Sequence, residues 1–90
     1  MMVYLVRCSD NSLYCGISTD VDKRIKTHNS GRGAKYTRSR LPVSLAWCSA
    51  NLPNKTARQL EYEIKSWPKS RKEGLINGTE DYNNWTKEKR

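Results

Sequence analysis

Two short runs of apolar, branched and aromatic residues near the start of the chain constrain its fold more than any other feature. They span residues 2–8 and 13–18, and the polar stretch 9–12 separates them. Two strand-like runs joined by a short Asp-Asn turn predict an antiparallel hairpin. Side chains alternate between the two faces of a strand, so Tyr4 and Tyr14 share a face in one of the registers that the sequence leaves open.

The remaining pattern predicts one more strand and three helices. Thr19-Asp20 starts a helix that runs to about residue 29, and Val43–Cys48 is a third strand. Two further helices span residues 55–67 and 69–76, separated by Pro68. The longer of these has an apolar stripe at helical spacing: Ala57, Leu60, Ile64 and Trp67.

The order β-β-α-β-α-α is typical of the α+β class. We therefore expect one domain over residues 1–78, a three-stranded antiparallel sheet with flanking helices, followed by a mobile polar tail over residues 79–90. Ninety residues leave room for one modest hydrophobic core and not for two domains.

The charge of the chain narrows the classes of partner. Seventeen Lys and Arg residues against nine Asp and Glu residues give a formal net charge of +8. Such an excess on a small domain attracts polyanions, of which nucleic acid is the commonest. An anionic membrane surface is the competitor, but no basic amphipathic helix is evident and no apolar run approaches the ~18 residues of a membrane span. The charge therefore leads us to expect a cytoplasmic protein that binds nucleic acid.

The three cysteines, Cys8, Cys15 and Cys48, form no Cys-x-x-Cys pair, and the sole histidine stands apart from them. Structural zinc usually requires four such ligands in close pairs, so no zinc domain is predicted. Free thiols of this kind indicate a reducing compartment.

Several polar residues stand where a plain fold does not require them. Arg24 and His28 lie one helical turn apart beside the buried stripe, which is either a solvated helix edge or part of a site. Glu61 borders the apolar stripe of its helix, where a carboxylate needs a cation. Arg24 is one candidate for that cation and a divalent metal is the other. Tyr4 and Tyr14 are either core residues or functional ones, with Gly16 leaving space near Tyr14.

Taken together, these residues resemble the GIY-YIG nuclease superfamily. The resemblance covers about residues 2–76 and is greatest to the small, single-domain bacterial branch, which is related to the catalytic module of structure-specific flap endonucleases. The segments that carry it are Val3-Tyr4-Leu5, Leu13-Tyr14-Cys15-Gly16-Ile17, Arg24-x-x-x-His28, the stretch 31–40 and Glu61-x-x-Ile64-Lys65. The first triplet departs from the pattern in all but its aromatic residue, and Asn77 is the nearest candidate for the asparagine that many members carry near the metal.

The resemblance implies metal-dependent hydrolysis of a DNA phosphodiester bond. In this reading Glu61 binds one Mg²⁺ or Mn²⁺, Arg24 pairs with a phosphate oxygen and Tyr14 orients the attacking water. The proton acceptor is Tyr4 or His28. A tyrosine has a pKa of about 10, and lowering that pKa to about 7 needs roughly 4 kcal/mol. One cation about 4 Å away supplies energy of that order. Histidine needs no such help.

The resemblance also implies a DNA-binding surface on the stretch between the first helix and the third strand. Its residues are Arg32, Lys35, Tyr36, Arg38 and Arg40. Cations there contact the phosphate backbone and carry little base information, so we expect the protein to recognise DNA by its shape. Branched or flapped DNA is the expected substrate. The expected setting is DNA repair by a cytoplasmic, nucleoid-associated protein. Two alternatives remain: a non-catalytic binding module of the same fold, and a small basic RNA-binding protein.

Overall fold

The computed structural model describes residues 1–80, which contain a three-stranded antiparallel sheet. Strands β1 (Met2–Arg7) and β2 (Leu13–Ser18) form the predicted hairpin, and β3 (Ser44–Cys48) pairs with the other side of β1, giving the order β2-β1-β3. In this register Tyr4 lies opposite Gly16 and Val6 lies opposite Tyr14. The two tyrosines therefore share a face of the sheet, and β2 forms one of its open edges.

Within residues 1–80, four helices lie around the sheet: α1 (Val21–Asn29), α2 (Lys35–Arg38), α3 (Asn54–Lys65) and α4 (Lys69–Asn77). The Asp20 side chain caps α1 by accepting a hydrogen bond of 3.1 Å from the Lys23 amide, as the start signal predicted. Helix α2 was not predicted. Its four residues bury only Thr37, so it has no apolar period that a sequence pattern could reveal.

The two faces of the sheet carry separate hydrophobic clusters. One cluster combines Val3, Leu5 and Cys15 with the stripe of α3. The other combines Tyr4 and Val6 with Val21 of α1 and with Val43, the residue before β3. The predicted stripe is confirmed, since Ala57, Leu60, Ile64 and Trp67 are all buried. Because α3 and α1 lie on opposite faces, side chains from both layers meet only around a sheet edge.

Two polar links close the structure. Arg7 at the end of β1 makes a two-point ion pair with Glu73 of α4, at 2.6 and 2.8 Å. The Asn29 side chain both donates to and accepts from the backbone of Val43, which fixes the end of α1 against the start of β3. At the end of the described residues, the amides of Thr79 and Glu80 donate to the Gly74 carbonyl oxygen. The rest of the predicted tail lies outside the described residues. No helix within residues 1–80 is long and apolar enough to cross a bilayer.

Candidate active site

A buried pair of side chains, Tyr4 and His28, forms the centre of the candidate site. Tyr4 Oη lies 2.7 Å from His28 Nε2, and the two residues are 1% and 0% exposed. The other ring nitrogen, Nδ1, lies 3.0 Å from Thr37 Oγ1. Helix α1 thus directs its buried histidine at the central strand, while α2 closes over the far side of the ring. Both nitrogens have polar partners, as a buried imidazole requires.

Two glycines give this pair its space. A Cβ on Gly16 would lie 2.5 Å from Tyr4 Oη, so the glycine predicted to leave room near Tyr14 instead makes room for the tyrosine on the neighbouring strand. A Cβ on Gly33 would lie 2.2 Å from His28 Nδ1 and 2.8 Å from its Cα. All three distances are shorter than real Cβ contacts, so a side chain at either glycine forces its neighbours to move.

We expect Gly33→Ala to destabilise the protein and to displace the imidazole. Overpacking of this kind costs about 1–3 kcal/mol, measurable as a lower unfolding free energy in urea. Gly31→Ala is the matched control. Gly31 has a φ of +83° and open space around it, so alanine there is strained by backbone conformation alone. Only Gly33→Ala should shift the ring NMR signals of the sole histidine; equal shifts in both variants would contradict this packing argument.

Burial sets the ionisation states of the pair. Desolvation raises the pKa of the Tyr4 hydroxyl, and the opposing effect of the Arg24 guanidinium is smaller. Arg24 alone therefore does not bring the pKa of this hydroxyl near 7, as one cation about 4 Å away was expected to do. Desolvation, followed by the positive charge of Arg24, lowers the pKa of the His28 imidazole. At neutral pH the site holds a protonated tyrosine beside a neutral histidine.

The lowered pKa of His28 predicts a loss of stability in mild acid. The unfolded chain begins to take up a proton at this residue near pH 6.5, while the folded state resists it, so stability present above pH 6.5 is lost as the pH falls toward the folded-state pKa. The loss is at most about 1.4 kcal/mol per pH unit. It is measured by urea unfolding at pH 7.5 and 5.5. In His28→Gln the unfolding free energy should depend less on pH over this range, since the chain has one histidine. An unchanged slope in that variant would show that another titrating group causes the loss.

Tyr14 lies beside the pair and is itself stacked. Its ring is 5.6 Å from the His28 ring at 69° and 5.8 Å from the Tyr36 ring at 23°. The Arg40 guanidinium carbon lies 4.0 Å from the centre of the Tyr36 ring. Tyr14 and Arg24 are half-buried, whereas Tyr4 and His28 are buried. The surface side of the site is therefore the side of Tyr14 and Arg24.

Glu61 reaches the site from the opposite layer, around the edge formed by β2. Its side chain is 21% exposed and pairs with Lys65 at 3.4 Å. Lys65 Nζ also lies 5.7 Å from the centre of the Tyr14 ring. The Glu61 carboxylate is close enough to Cys15, the strand neighbour of Tyr14, to help burial raise the pKa of that thiol to about 12. Within residues 1–80 the ion pair of Glu61 is with Lys65, not with Arg24.

The residues present fit a hard divalent ion bound by one carboxylate. No group of three His, Cys, Asp or Glu side chains capable of holding a metal occurs within residues 1–80. Mg²⁺ differs from zinc in that it keeps several waters and is commonly bound by one or two carboxylates plus phosphate oxygens. Glu61 is partly exposed and lies near Cys15, the strand neighbour of Tyr14, which suits that mode of binding. Asn77 is used otherwise, because its side-chain oxygen accepts from the backbone and hydroxyl of Thr79.

The residues predicted to bind DNA fall into two groups. Arg32, Lys35 and Arg38 are exposed, although Arg38 Nε also donates to the Gly33 carbonyl oxygen at 3.3 Å. Tyr36 is 38% exposed, and Arg40 is half-buried with its guanidinium bonded to other parts of the fold. The first group is available to a phosphate backbone. In the second group, Tyr36 stacks on Tyr14 and Arg40 lies over the Tyr36 ring.

Sequence reasoning missed Thr37, Gly33 and Lys65 as members of the site. Lys65 belongs to the segment Glu61-x-x-Ile64-Lys65, and its position four residues after Glu61 was the signal that the two side chains are neighbours. Thr37 and Gly33 carry no such signal, because their contact with His28 depends on how the loop after α1 folds back.

Comparisons with known proteins identify the family and the fold of this chain. The model of the GIY-YIG catalytic domain family matches residues 1–74. A UPF0213 protein of Vibrio cholerae is 51% identical over 77 residues, which cover 84% of this chain and 76% of that protein. A UPF0213 protein of Haloquadratum walsbyi is 46% identical over 81 residues, or 90% and 91% of the two chains. The solution NMR structure of a UPF0213 protein from Bacillus halodurans is 45% identical, covers 96% of this chain and 93% of its own, and has a TM-score of 0.55.

Proposed function

This chain belongs to the GIY-YIG catalytic domain family, a family of nucleases, and we propose that it is a metal-dependent DNA endonuclease. The observation that carries the proposal is the convergence of the predicted residues. His28 contacts both Tyr4 and Tyr14 on one face of the sheet, and the charge of Arg24 acts on Tyr4 and on His28. Glu61 reaches the same edge through Lys65, which lies over the Tyr14 ring.

The hydrogen bonds around His28 support a proton path from Tyr4 to the imidazole. Thr37 has one hydroxyl proton, and the Ala34 carbonyl oxygen lies 2.9 Å from its Oγ1. With that proton donated to Ala34, Thr37 accepts from Nδ1–H, and the lone pair of Nε2 faces the Tyr4 hydroxyl. The Ala34 amide also approaches Nδ1, but at 3.4 Å it is the weaker contact. Tyr4 thus takes a proton from the attacking water as it passes its own to His28.

The reacting phosphate belongs on the half-buried side of this group. Arg24 there can hold a phosphate oxygen through its planar fork and keep it beside the Tyr4 hydroxyl. Tyr14 orients the attacking water from the same side. A Mg²⁺ or Mn²⁺ ion held by Glu61 would neutralise charge on the scissile phosphate and on the departing oxygen.

The exposed cations Arg32, Lys35 and Arg38 would bind the DNA backbone next to this site. None of the helices within residues 1–80 resembles a recognition helix, so we propose recognition by DNA shape, with branched or flapped DNA as the substrate and repair as the setting. Such a substrate would place the protein in the cytoplasm beside the nucleoid.

One observation favours a second candidate, a DNA-binding module without turnover. The ammonium group of Lys65 already neutralises Glu61, which is what a metal ion would do. If this ion pair persists in the presence of metal, the protein binds DNA and does not cut it.

The experiment compares cleavage of branched, flapped and plain duplex DNA, and of structured RNA, at one salt concentration with Mg²⁺, Mn²⁺ or EDTA. We expect metal-dependent cleavage of DNA, fastest on branched substrates. Tight binding without cleavage under every metal condition would overturn the nuclease in favour of the binding module. Exclusive retention of RNA would overturn both.

A further inference from the structure

We propose that Asp10 and Arg40 are positioning residues that fix the Tyr14 ring through Tyr36; this inference rests on the proposed nuclease function. Asp10 lies in the turn between β1 and β2, and Arg40 follows α2. Their side chains form an ion pair of 3.1 Å between Asp10 Oδ2 and Arg40 Nε. The Ser9 amide also donates to the Arg40 carbonyl oxygen at 2.9 Å. Backbone and side chain of Arg40 are thus both held by the hairpin turn.

Arg40 in turn holds Tyr36. Its Nη1 donates to the Tyr36 carbonyl oxygen at 2.8 Å, and its guanidinium lies over the Tyr36 ring at 4.0 Å. The same ring stacks on Tyr14, with centroids 5.8 Å apart. Cation–π and offset-stacking contacts of this kind define the position of both rings. The sequence Asp10–Arg40–Tyr36–Tyr14 is therefore a continuous chain of contacts from the hairpin turn to the site, and we call it the turn clamp.

The bonding of Arg40 distinguishes it from the exposed cations of the same segment. Two of its guanidinium nitrogens are committed to Asp10, to the Tyr36 carbonyl oxygen and to Ser39 Oγ. The Asp10 carboxylate, itself bound by the amide of Ser12 at 3.0 Å, offsets its charge. These bonds engage three of the five N–H donors of the guanidinium, so we assign Arg40 a positioning role in place of the predicted DNA contact.

The consequence for the reaction follows from what Tyr14 touches. Its ring packs edge-on against the His28 imidazole at 5.6 Å, beside the proposed proton path. Without the turn clamp, Arg40 no longer holds the Tyr36 ring, and the Tyr14 ring that stacks on it loses its fixed position. Misplacement of a reacting group by about 1 Å lowers turnover by as much as about 100-fold.

Asp10→Asn separates positioning from DNA binding because the two roles predict opposite results. The substitution removes a negative charge beside the DNA-binding segment, so electrostatics alone predicts equal or tighter DNA binding. The turn clamp predicts a kcat about tenfold lower in single-turnover cleavage with saturating Mg²⁺. Arg40→Gln should lower kcat similarly, and Asp10→Asn with Arg40→Gln should be no worse than Arg40→Gln alone, because both break one chain of contacts. Lys26→Gln, which removes an exposed cation on the outer side of α1, should leave kcat unchanged.

Aromatic NMR signals give a readout that is independent of cleavage. We expect the ring signals of Tyr14 and Tyr36 to shift in Asp10→Asn and to stay in place in Lys26→Gln. Tighter DNA binding with unchanged kcat in Asp10→Asn, or weaker DNA binding with unchanged kcat in Arg40→Gln, would overturn the clamp and make Arg40 a DNA contact. Unshifted Tyr14 signals would overturn it whether or not the wild type cuts DNA. If the signals shift in Asp10→Asn but the wild type cuts no DNA, the clamp is supported and the nuclease is refuted.

Discussion

Replacement of Glu61 by glutamine is expected to reduce DNA cleavage by about 1000-fold, equivalent to about 4 kcal/mol at 1.36 kcal/mol per tenfold. The amide keeps the size of the side chain but removes the negative charge that would hold a divalent ion. DNA binding should be retained or become tighter, because a carboxylate is lost from a surface that approaches phosphate. The measurement is single-turnover cleavage of the preferred branched substrate, together with the dissociation constant of the uncut complex.

Glu63→Gln is the matched control for this prediction. Glu63 lies on the same helix, two residues from Glu61, and makes none of the described contacts with the tyrosine–histidine group. The same chemical change there should leave cleavage within about twofold of wild type, as surface substitutions usually do. Equal low-level cleavage by wild type and Glu61→Gln would indicate a contaminating nuclease and remove the support for catalysis.

Tyr4→Phe is expected to lower kcat by about 100- to 1000-fold, the usual contribution of a positioned proton-transfer group. The substitution removes one oxygen atom from a fully packed position, so the ring packing of the core is preserved. It also leaves His28 Nε2 without its partner at 2.7 Å. An unsatisfied buried nitrogen costs about 1–3 kcal/mol, so a lower but still cooperative unfolding transition should accompany the loss of cleavage.

Tyr62→Phe controls for the chemical change. Tyr62 is 80% exposed on α3, so loss of its hydroxyl should alter neither stability nor cleavage. Near-wild-type kcat in folded Tyr4→Phe would contradict the proton path and leave neutral His28 as the direct acceptor.

Most of the fold was predictable because its elements are defined by apolar periodicity. The hairpin, the third strand and the stripe of α3 each depend on which residues alternate between core and surface, and the structure confirms them. Helix α2 was not predictable in this way, since Thr37 is its one buried residue. The end of the longest predicted helix also differed: α3 ends at Lys65, and Trp67 is buried beyond it.

The candidate site was predictable in its principal residues but not in its supporting contacts. The positions of Tyr4, Tyr14 and His28 follow from strand parity and helical spacing. Arg40 shows the limit of that reasoning. As a basic residue in a basic loop it was assigned to DNA, whereas its guanidinium pairs with an aspartate 30 residues earlier in the chain. Long-range polar partners of this kind leave no local pattern in the sequence.

The most direct test of the account is where a paramagnetic ion binds. Mn²⁺ is added in substoichiometric amounts to the protein bound to uncleaved DNA, and aromatic NMR signals are followed in wild type and Glu61→Gln. We predict that the ring signals of Tyr14, Tyr4 and His28 broaden first in wild type and stay sharp in the variant. Broadening that is the same in both proteins, or that begins at residues remote from the edge formed by β2, would contradict a single site shared by Glu61 and the tyrosines.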